Sequence, residues 1–297
     1  MPRVSKDAPN LFREGGPLVG ELPASGLGTT QKFPALDSLI DLEASRGERN
    51  RALVASLRES AHSQCLLELT QADALLGWMT GAVEIDDRIL DSCNLASRFA
   101  VEQSSAASGM RKIKPCDDET ACGTNGCCRP SEKLANDSMG FLVECAGVLS
   151  AQRADPPVLW KLDIHSAYRR IPIRPDHRWL AWVVFMVSGC CIAADHICMP
   201  FGAIASVHAW NRMGAFLCHI GRRVLLLTLL RYVDDFFAID RAACAEHAMG
   251  CFARVVRALL GPNAVADRKM SFGNPLPRLG LTVKAHSRSS YVRVAHT

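Results

Sequence analysis

The sequence lacks an uninterrupted apolar run long enough to cross a membrane. The most apolar stretch, WLAWVVFMVSGCCIAA at residues 179–194, falls short of ~20 residues and is interrupted by Ser188-Gly189. This pattern predicts two strands around a tight turn and no membrane partner. The first residues, MPRVSKDAPNLFREGG, also lack the apolar segment of a secretory leader. We therefore expect an intracellular protein, in the nucleus or the cytoplasm.

Neither sign of charge dominates, and no metal-binding cysteine pattern is present. The 34 Lys and Arg against 30 Asp and Glu leave a net charge of +4, which is too small to identify a partner. The 13 cysteines are odd in number, so we expect reduced thiols packed as small apolar side chains. The most closely spaced cysteines lack the paired Cys-x-x-Cys pattern of zinc sites, and we expect no zinc at Cys116, Cys122, Cys127 and Cys128.

Periodicity divides the chain into regions and reveals no internal repeat. Residues 1–35 are rich in Gly, Pro and Ser without periodicity, which predicts a flexible tail. Helical spacing predicts a helical segment over 36–97, whereas residues 98–156 are irregular apart from a short helix at 131–150. Residues 286–297 are expected to form a C-terminal tail.

The later half of the chain is more regular and predicts an α+β fold, an antiparallel sheet with helices on one face. Strands are predicted at 157–164, 179–187, 190–198, 223–233, 236–239 and 277–285. Two helices are predicted, one over 203–220 closed by Gly221, and one from an N-cap at Asp240 to Leu260, stopped by Gly261-Pro262. The two strands around residue 234 form a hairpin.

The stretch LLRYVDDFFAID places Asp234 and Asp235 side by side within an apolar run. A buried charge needs a proton, a cation or hydrogen bonds, unless the pair is only a solvated hairpin turn. Neighbouring side chains of a strand point to opposite faces, so one carboxylate must join a residue from another element. Asp163, at the end of the strand VLWKLDI, is the best candidate. Carboxylates from separate elements suit a pair of Mg²⁺ ions in phosphoryl transfer.

Three motifs in this order resemble those of reverse transcriptases. RYVDDFFAID resembles their Tyr-x-Asp-Asp motif, LDIHSAYRRIPI their preceding acidic motif, and MPFGAIASVHAWNR their Pro-Phe-Gly motif. Lys269 and the residues around Gly280 resemble two weaker downstream motifs, and residues 98–125 look like a degenerate fingers segment. The resemblance covers roughly residues 98–285 and is strongest to retroelement enzymes such as those of tyrosine-recombinase elements.

The resemblance implies a right-hand polymerase palm over 157–285 with partial fingers over 98–156 and no thumb. It implies RNA-directed DNA polymerisation, a nucleotidyltransferase reaction that adds deoxynucleotides to a primer on an RNA or DNA template. Asp163 and Asp234 would bind two Mg²⁺ ions, with Mn²⁺ as an alternative, and Asp235 would support the site. After the last strand too few residues remain for a thumb or a ribonuclease H domain, so we expect a separate chain to supply them.

The resemblance also implies roles for residues around the acidic site. Tyr168 would lie under the sugar of the incoming nucleotide, unless it is a core aromatic residue. Phe201 and Gly202 would lie against the nascent base pair, and Tyr232 would touch the primer end. Several basic residues compete for the triphosphate, because PCDDET lacks the usual Arg after its Asp: Arg111, Lys112 and Lys114. Lys269, in the weaker downstream motif, would also bind the substrate.

Some features remain open from the sequence. The basic run after the first motif fits a solvated face as well as a contact with template or triphosphate: Arg169, Arg170, Arg174 and Arg178. The histidines show no ligand spacing and are expected to be packed or exposed singly, among them His165, His196 and His208. The alternative to a polymerase is a catalytically decayed palm that binds nucleic acid or protein. A globular interaction domain with a chance Tyr-x-Asp-Asp is a third interpretation.

Overall fold

The computed structural model describes residues 8–34, 36–104, 111–134, 136–151, 157–273, 276–278, 281–285 and 292–296. Within them the α-helices are α1 (Ala8–Arg13), α2 (Leu39–Ala44), α3 (Arg46–Ser56), α4 (Ser63–Leu75), α5 (Asp87–Ser92), α6 (Met139–Ala151), α7 (Ile204–Arg223) and α8 (Ala242–Leu260). Short 3₁₀ helices lie at Ala167–Arg170, Pro175–Leu180 and Asp267–Lys269. No helix of the described residues is long and apolar enough to cross a membrane.

The strands are β1 (Gly20–Leu22), β2 (Val83–Glu84), β3 (Leu95–Ser104), β4 (Arg111–Asp117), β5 (Cys128–Pro130), β6 (Pro157–Asp163), β7 (Trp182–Val187), β8 (Cys190–Asp195), β9 (Leu229–Tyr232), β10 (Asp235–Arg241), β11 (Ser271–Gly273), β12 (Leu276–Arg278), β13 (Leu281–Ala285) and β14 (Val292–His296). They form a central antiparallel sheet, β11-β6-β10-β9, and a five-stranded sheet, β2-β8-β7-β3-β4. The chain is thus a mixed helix-and-sheet protein, compatible with the predicted α+β class.

The central sheet is covered on both faces, not on one as predicted. Trp160 and Phe236 belong to the large core, in which the ring of Phe236 lies 5.2 Å from that of Phe252 on α8. The other face carries Leu159 and Phe237, which pack with side chains of α6 in a second cluster. The sheet is covered on both faces because β6 and β10 carry apolar side chains on each face. Successive side chains along these strands alternate between the two faces, and the apolar ones are buried on both.

Two predicted helix ends are wrong, for identifiable reasons. Gly221 does not close α7, which continues to Arg223. A Cβ at Gly221 would lie 2.5 Å from Leu229 Cδ2, so the glycine serves the close approach of helix and strand. Asp240 does not cap α8, because it lies in β10 and its Oδ2 accepts a hydrogen bond from Trp160 Nε1 at 2.9 Å. Arg241 stands at the N-cap instead.

The N-terminal residues contribute to the core. Leu18 is 1% exposed, and Leu11, Val19 and Leu22 belong to the same large cluster. β1 pairs in parallel with β5, and the carboxylate of Glu132 accepts hydrogen bonds from backbone N–H groups of the loop after β1, those of Ser25, Gly26 and Gly28. Residues 8–34 are therefore folded rather than the flexible tail that their composition predicted. Residues 1–7 and 35 lie outside the described residues.

The predicted hairpin over 179–198 is confirmed as β7 and β8. Its turn residues, Ser188 and Gly189, have φ of 51° and 78°, the positive values of the tight turns that suit twisted hairpins. The single strand predicted over 277–285 is instead two paired strands, β12 and β13, and Gly280 lies outside the described residues. Every cysteine of the sequence is a free thiol in the structure; most are buried or half-buried, whereas Cys190 and Cys244 are exposed.

Candidate active site

The adjacent carboxylates lie at the tip of the β9–β10 hairpin, as predicted. Val233 and Asp234 form its two-residue turn, in which Val233 has a φ of 53°. The turn is held from two sides: Val233 O accepts a hydrogen bond from Trp210 Nε1 at 2.8 Å, and Val233 N donates to Asn136 Oδ1 at 3.3 Å. A β-branched residue with positive φ is strained, so these contacts fix a conformation that the sequence alone does not favour.

The strand register brings Asp163 to this turn. Asp163 pairs with Asp235 across β6 and β10, and the N–H of Ile164 donates to Asp234 O at 3.1 Å. Residues opposite each other in an antiparallel pair share a face of the sheet. Asp235 therefore shares a face with Asp163, whereas period-two reasoning from the sequence placed it on the other side. That reasoning treated Asp234 and Asp235 as neighbours in an extended strand, whereas Asp234 lies in the predicted turn and so outside the alternation.

The three carboxylates influence one another electrostatically. Burial raises the pKa of Asp234, and the charges of Asp163 and, to a smaller extent, Asp235 raise it further. Lys269 donates from Nζ to Asp163 Oδ2 at 2.8 Å. Burial works against the charge of Lys269, but this hydrogen bond and the three carboxylates raise its pKa. The cluster thus favours an added positive charge, and a lysine already supplies one.

The donor set fits Mg²⁺ in part. Among the residues that the structure describes, no three His, Cys, Asp or Glu side chains form a closed metal site. Mg²⁺ keeps several waters and is held by one or two carboxylates plus substrate phosphates, so an open pair such as Asp163 and Asp234 suits it. Burial and, after it, the like charges of Asp163 and Asp235 raise the pKa of Asp234, and a divalent ion would offset the repulsion between these charges.

An aromatic pair stands beside the carboxylates. Tyr168 is half-buried, and its ring centroid lies 5.0 Å from that of Phe201, which is 44% exposed. Burial and, secondarily, the charge of Asp234 raise the pKa of Tyr168, which places its hydroxyl within electrostatic reach of the acidic turn. Gly202 has a φ of 100°, and a Cβ there would lie 2.5 Å from Asp117 O. The structure thus brings Tyr168 and Phe201 together, with Asp234 within electrostatic reach of Tyr168.

The other predicted contact residues are divided between two surfaces. Tyr232 is 44% exposed and pairs with Asp235 in the sheet register. Lys112 and Lys114 are exposed on one face of β4, and the charge of Lys112 reaches His165, two residues after Asp163. Alternation places Arg111 on the opposite face, where it pairs with Glu102 at 3.4 Å. The two lysines are therefore better placed than Arg111 to meet an anion at the site.

The basic run after Asp163 is not a uniform solvated face. Arg169 is 4% exposed, while Arg174 pairs with Asp176 at 2.7 Å and Arg178 with Asp195. Arg170 donates to the backbone oxygens of His165 and Asn263 at 3.0 and 2.6 Å. These arginines mostly hold the chain together. Of the histidines, His165 is exposed and His196 is fully buried, but His196 has charged partners that no local signal in the sequence predicted.

A buried acid lies beneath Gly202. Glu119 is 1% exposed, and its Oε1 makes no hydrogen bond within the described structure. Burial and the charge of Asp117 raise its pKa to about 8, so Glu119 is neutral at pH 7. A carboxyl group that ionises near pH 4.5 in the unfolded chain and near 8 in the folded one makes stability fall as the pH rises between these values.

We therefore expect Glu119→Gln to flatten the pH dependence of stability. Between pH 7 and 8 the wild-type protein should lose about 1 kcal/mol of unfolding free energy more than the variant, the slope expected for one proton. Urea unfolding of both proteins at the two pH values measures this difference. Parallel changes in the two proteins would show that Glu119 is already ionised at pH 7.

Comparisons with known proteins show a distant similarity of fold. No protein-family profile and no curated protein sequence matches the chain. Among solved structures, it is similar to a foamy viral protease-reverse transcriptase in complex with double-stranded DNA, with a TM-score of 0.53 and 14% sequence identity. The match covers 87% of this chain and 37% of that one. The chain is therefore distantly similar in fold to about a third of a viral protease-reverse transcriptase.

Proposed function

We propose that the chain is a nucleotidyltransferase of the reverse-transcriptase type, an RNA-directed DNA polymerase that adds deoxynucleotides to a primer. The observation that carries the proposal is the meeting of Asp163 with Asp234 and Asp235 at one end of the central sheet, although 71 positions separate Asp163 from Asp234. The motif order and the distant similarity of fold to a reverse transcriptase support the same activity.

The residues of the site would divide the work of phosphoryl transfer. Asp163 and Asp234 would hold two Mg²⁺ ions, or Mn²⁺ in their place, and Asp235 would support them. Bound metal supplies Lewis-acid stabilisation of the attacking and leaving oxygens. Lys269 balances the negative charge of Asp163 through its hydrogen bond and would approach the substrate phosphates. Lys112 and Lys114 would attract the triphosphate, and Tyr168 would limit the space around the sugar.

Template and primer are the proposed macromolecular partners. The solved neighbour was in complex with double-stranded DNA, and its chain is much longer than the part matched here. A separate chain that supplies a clamp for the duplex, or a ribonuclease H activity, is a further proposed partner. With only the described residues in contact, affinity for nucleic acid should be low and fall steeply with salt, because phosphate contacts dominate it.

Primer extension tests the proposal. Purified protein is given a labelled primer on an RNA or a DNA template, with Mg²⁺ or Mn²⁺ and all four deoxynucleoside triphosphates. Extension that Asp234→Asn abolishes would support the polymerase, whereas binding of the duplex without extension under any condition would favour the second candidate. That candidate is a catalytically decayed module that binds nucleic acid. The orientation of Arg111 favours this second candidate. Arg111 faces away from the site, so no arginine of β4 is placed to bind a triphosphate, and Lys112 and Lys114 are the basic residues on the near face of that strand.

Tyr168 is expected to exclude ribonucleotides. The ring packs on Phe201 within reach of Asp234, where it would crowd a 2′-hydroxyl group. Tyr168→Ala should raise the use of a ribonucleotide relative to the matching deoxynucleotide by about tenfold or more, since a steric clash of ~1.4 kcal/mol gives a factor of ten. Single-nucleotide incorporation measures the ratio. If activity is retained and the ratio of ribonucleotide to deoxynucleotide use is unchanged, Tyr168 is a core aromatic residue and does not select the sugar.

A further inference from the structure

The arginine that follows Tyr168 in the chain is buried directly behind the aromatic pair. The side chain of Arg169 is 3% exposed and pairs with Asp73 on α4, with Nη2 3.4 Å from Oδ2. Its Nη1 donates to Nδ1 of His196 and to Cys198 O at 3.4 Å. Charges are buried in this way only where several partners hold them. The partners of Arg169 lie on two distant segments of the chain, α4 and the residues after β8.

The contacts continue from His196 into β4. Arginine only donates, so Nδ1 of His196 accepts from Arg169 and the ring proton is on Nε2, which donates to Asp117 Oδ2 at 2.9 Å. Arg98 Nη2, 3.3 Å from the same Nε2, then faces it as a second donor and makes no hydrogen bond to it. Burial, together with the charge of Arg169, lowers the pKa of His196 to about 3, in agreement with a neutral ring. Asp117 also accepts from Arg98 Nε at 2.7 Å and Nη2 at 3.0 Å, a bidentate pair.

At its other end, this network touches the predicted nucleotide pocket. The guanidinium carbon of Arg169 lies 5.8 Å from the ring centroid of Phe201, over its face. The same ring contacts Tyr168, the residue preceding Arg169. Asp117 O also lies against Gly202, where it leaves no room for a Cβ. The end of β4 therefore reaches Phe201-Gly202 twice, through its backbone and through the chain of hydrogen bonds to Arg169.

We propose that Arg169 is a positioning residue for the incoming nucleotide, which it serves by fixing the ring of Phe201 against Tyr168. The inference rests on the proposed function and names a residue to which the resemblance to reverse transcriptases assigns no role. A planar guanidinium is required, because it stacks on Phe201 while its edge donates to His196 and Asp73. Lysine keeps the charge but can neither stack in this way nor hold both partners.

Nucleotide binding without chemistry tests this role. The full chain is bound to an RNA template with a DNA primer that ends in a 3′-dideoxynucleotide, and dATP or ATP is titrated calorimetrically opposite a template uracil. Arg169→Lys should weaken dATP binding by about tenfold and reduce the preference for dATP over ATP, the size of effect seen between side chains in contact. Arg46→Lys is the matched control, because Arg46 lies over the Trp179 ring at 5.6 Å, outside the acidic site.

A double-mutant cycle shows whether Arg169 acts through Phe201. In a Phe201→Leu background, Arg169→Lys should cause little further loss of dATP affinity. If the double variant instead loses the product of the two single-variant factors, the two residues act independently and the proposal is overturned. If Arg169→Lys does not fold, Asp73→Asn, which frees the same guanidinium from its 21% exposed partner, replaces it with the same expectation.

The outcomes separate the inference from the proposed function. A wild-type chain that binds dATP selectively but extends no primer would contradict the polymerase and leave the role of Arg169 intact. Equal binding by wild type and Arg169→Lys, or no binding of dATP by the wild-type complex, would contradict the inference itself. Unfolding midpoints measured on the same samples show whether a loss of affinity merely follows a loss of stability.

Discussion

Asp163→Asn and Asp234→Asn are each expected to reduce nucleotide incorporation by about 10²–10³-fold, the cost of removing one group that stabilises developing charge. Both should also weaken the binding of Mg²⁺ or Mn²⁺ in calorimetric titrations. The physical reason lies in the cluster itself. Asp163 raises the pKa of Asp234 more than Asp235 does, so a cation held by Asp163 and Asp234 would relieve the stronger of the two charge repulsions on Asp234.

Asp235→Asn gives the sharpest comparison. Asp235 is predicted only to support the site, so Asp235→Asn should lose less nucleotide incorporation and less metal affinity than the other two variants. The strand register nevertheless places Asp235 opposite Asp163. Asp240→Asn is the control from the same strand, because Asp240 is engaged by Trp160 and should not affect metal binding. Unchanged metal affinity in both Asp163→Asn and Asp234→Asn would remove the basis for a two-metal site.

Asp117→Ala is expected to lower the free energy of unfolding by about 3–5 kcal/mol, because it leaves a buried guanidinium without its counter-charge. The side chains of Arg98 and Asp117 are 0% and 2% exposed, so solvent cannot replace the lost partner. Urea unfolding monitored by circular dichroism measures the change. The midpoint should shift in Asp117→Ala without a change in the slope that reports exposed surface.

Two further variants show that the cost comes from the broken pair. The double variant Arg98→Met with Asp117→Leu removes both charges, so it should be destabilised less than either single variant. Glu102→Ala breaks the exposed pairs with Arg111 and with His62 and should still cost only about 1 kcal/mol or less. A loss in Asp117→Ala as small as that in Glu102→Ala would mean that water reaches Arg98.

Local signals in the sequence were enough to predict the elements that carry the site. The turn at Ser188-Gly189, the hairpin around Asp234 and the helix that follows Gly202 all depend on residues close together in the chain. Glycine at a positive φ, strand periodicity and helical periodicity act over a few residues. These elements were therefore predicted correctly, while their ends were not.

The pairing of buried charges could not be predicted in this way. Asp117 meets Arg98 across 19 positions and His196 across 79, and nothing near Arg169 in the sequence distinguishes it from an exposed arginine. Which charges become buried depends on the packing of α4, β4 and the residues after β8 together. The same holds for the register of Asp163 with Asp235, since a strand pattern specifies a face but not a partner.

The packing of the N-terminal segment has a consequence for synthesis on the ribosome. Leu11, Leu18 and Leu22 emerge early, but Arg212, which donates to the backbone oxygen of Pro23, lies 189 positions later. At roughly 5–20 residues per second, these apolar side chains wait on the order of 10–40 s for the rest of their core. The nascent chain therefore exposes them throughout that time, and chaperones that bind apolar segments are expected to raise its yield.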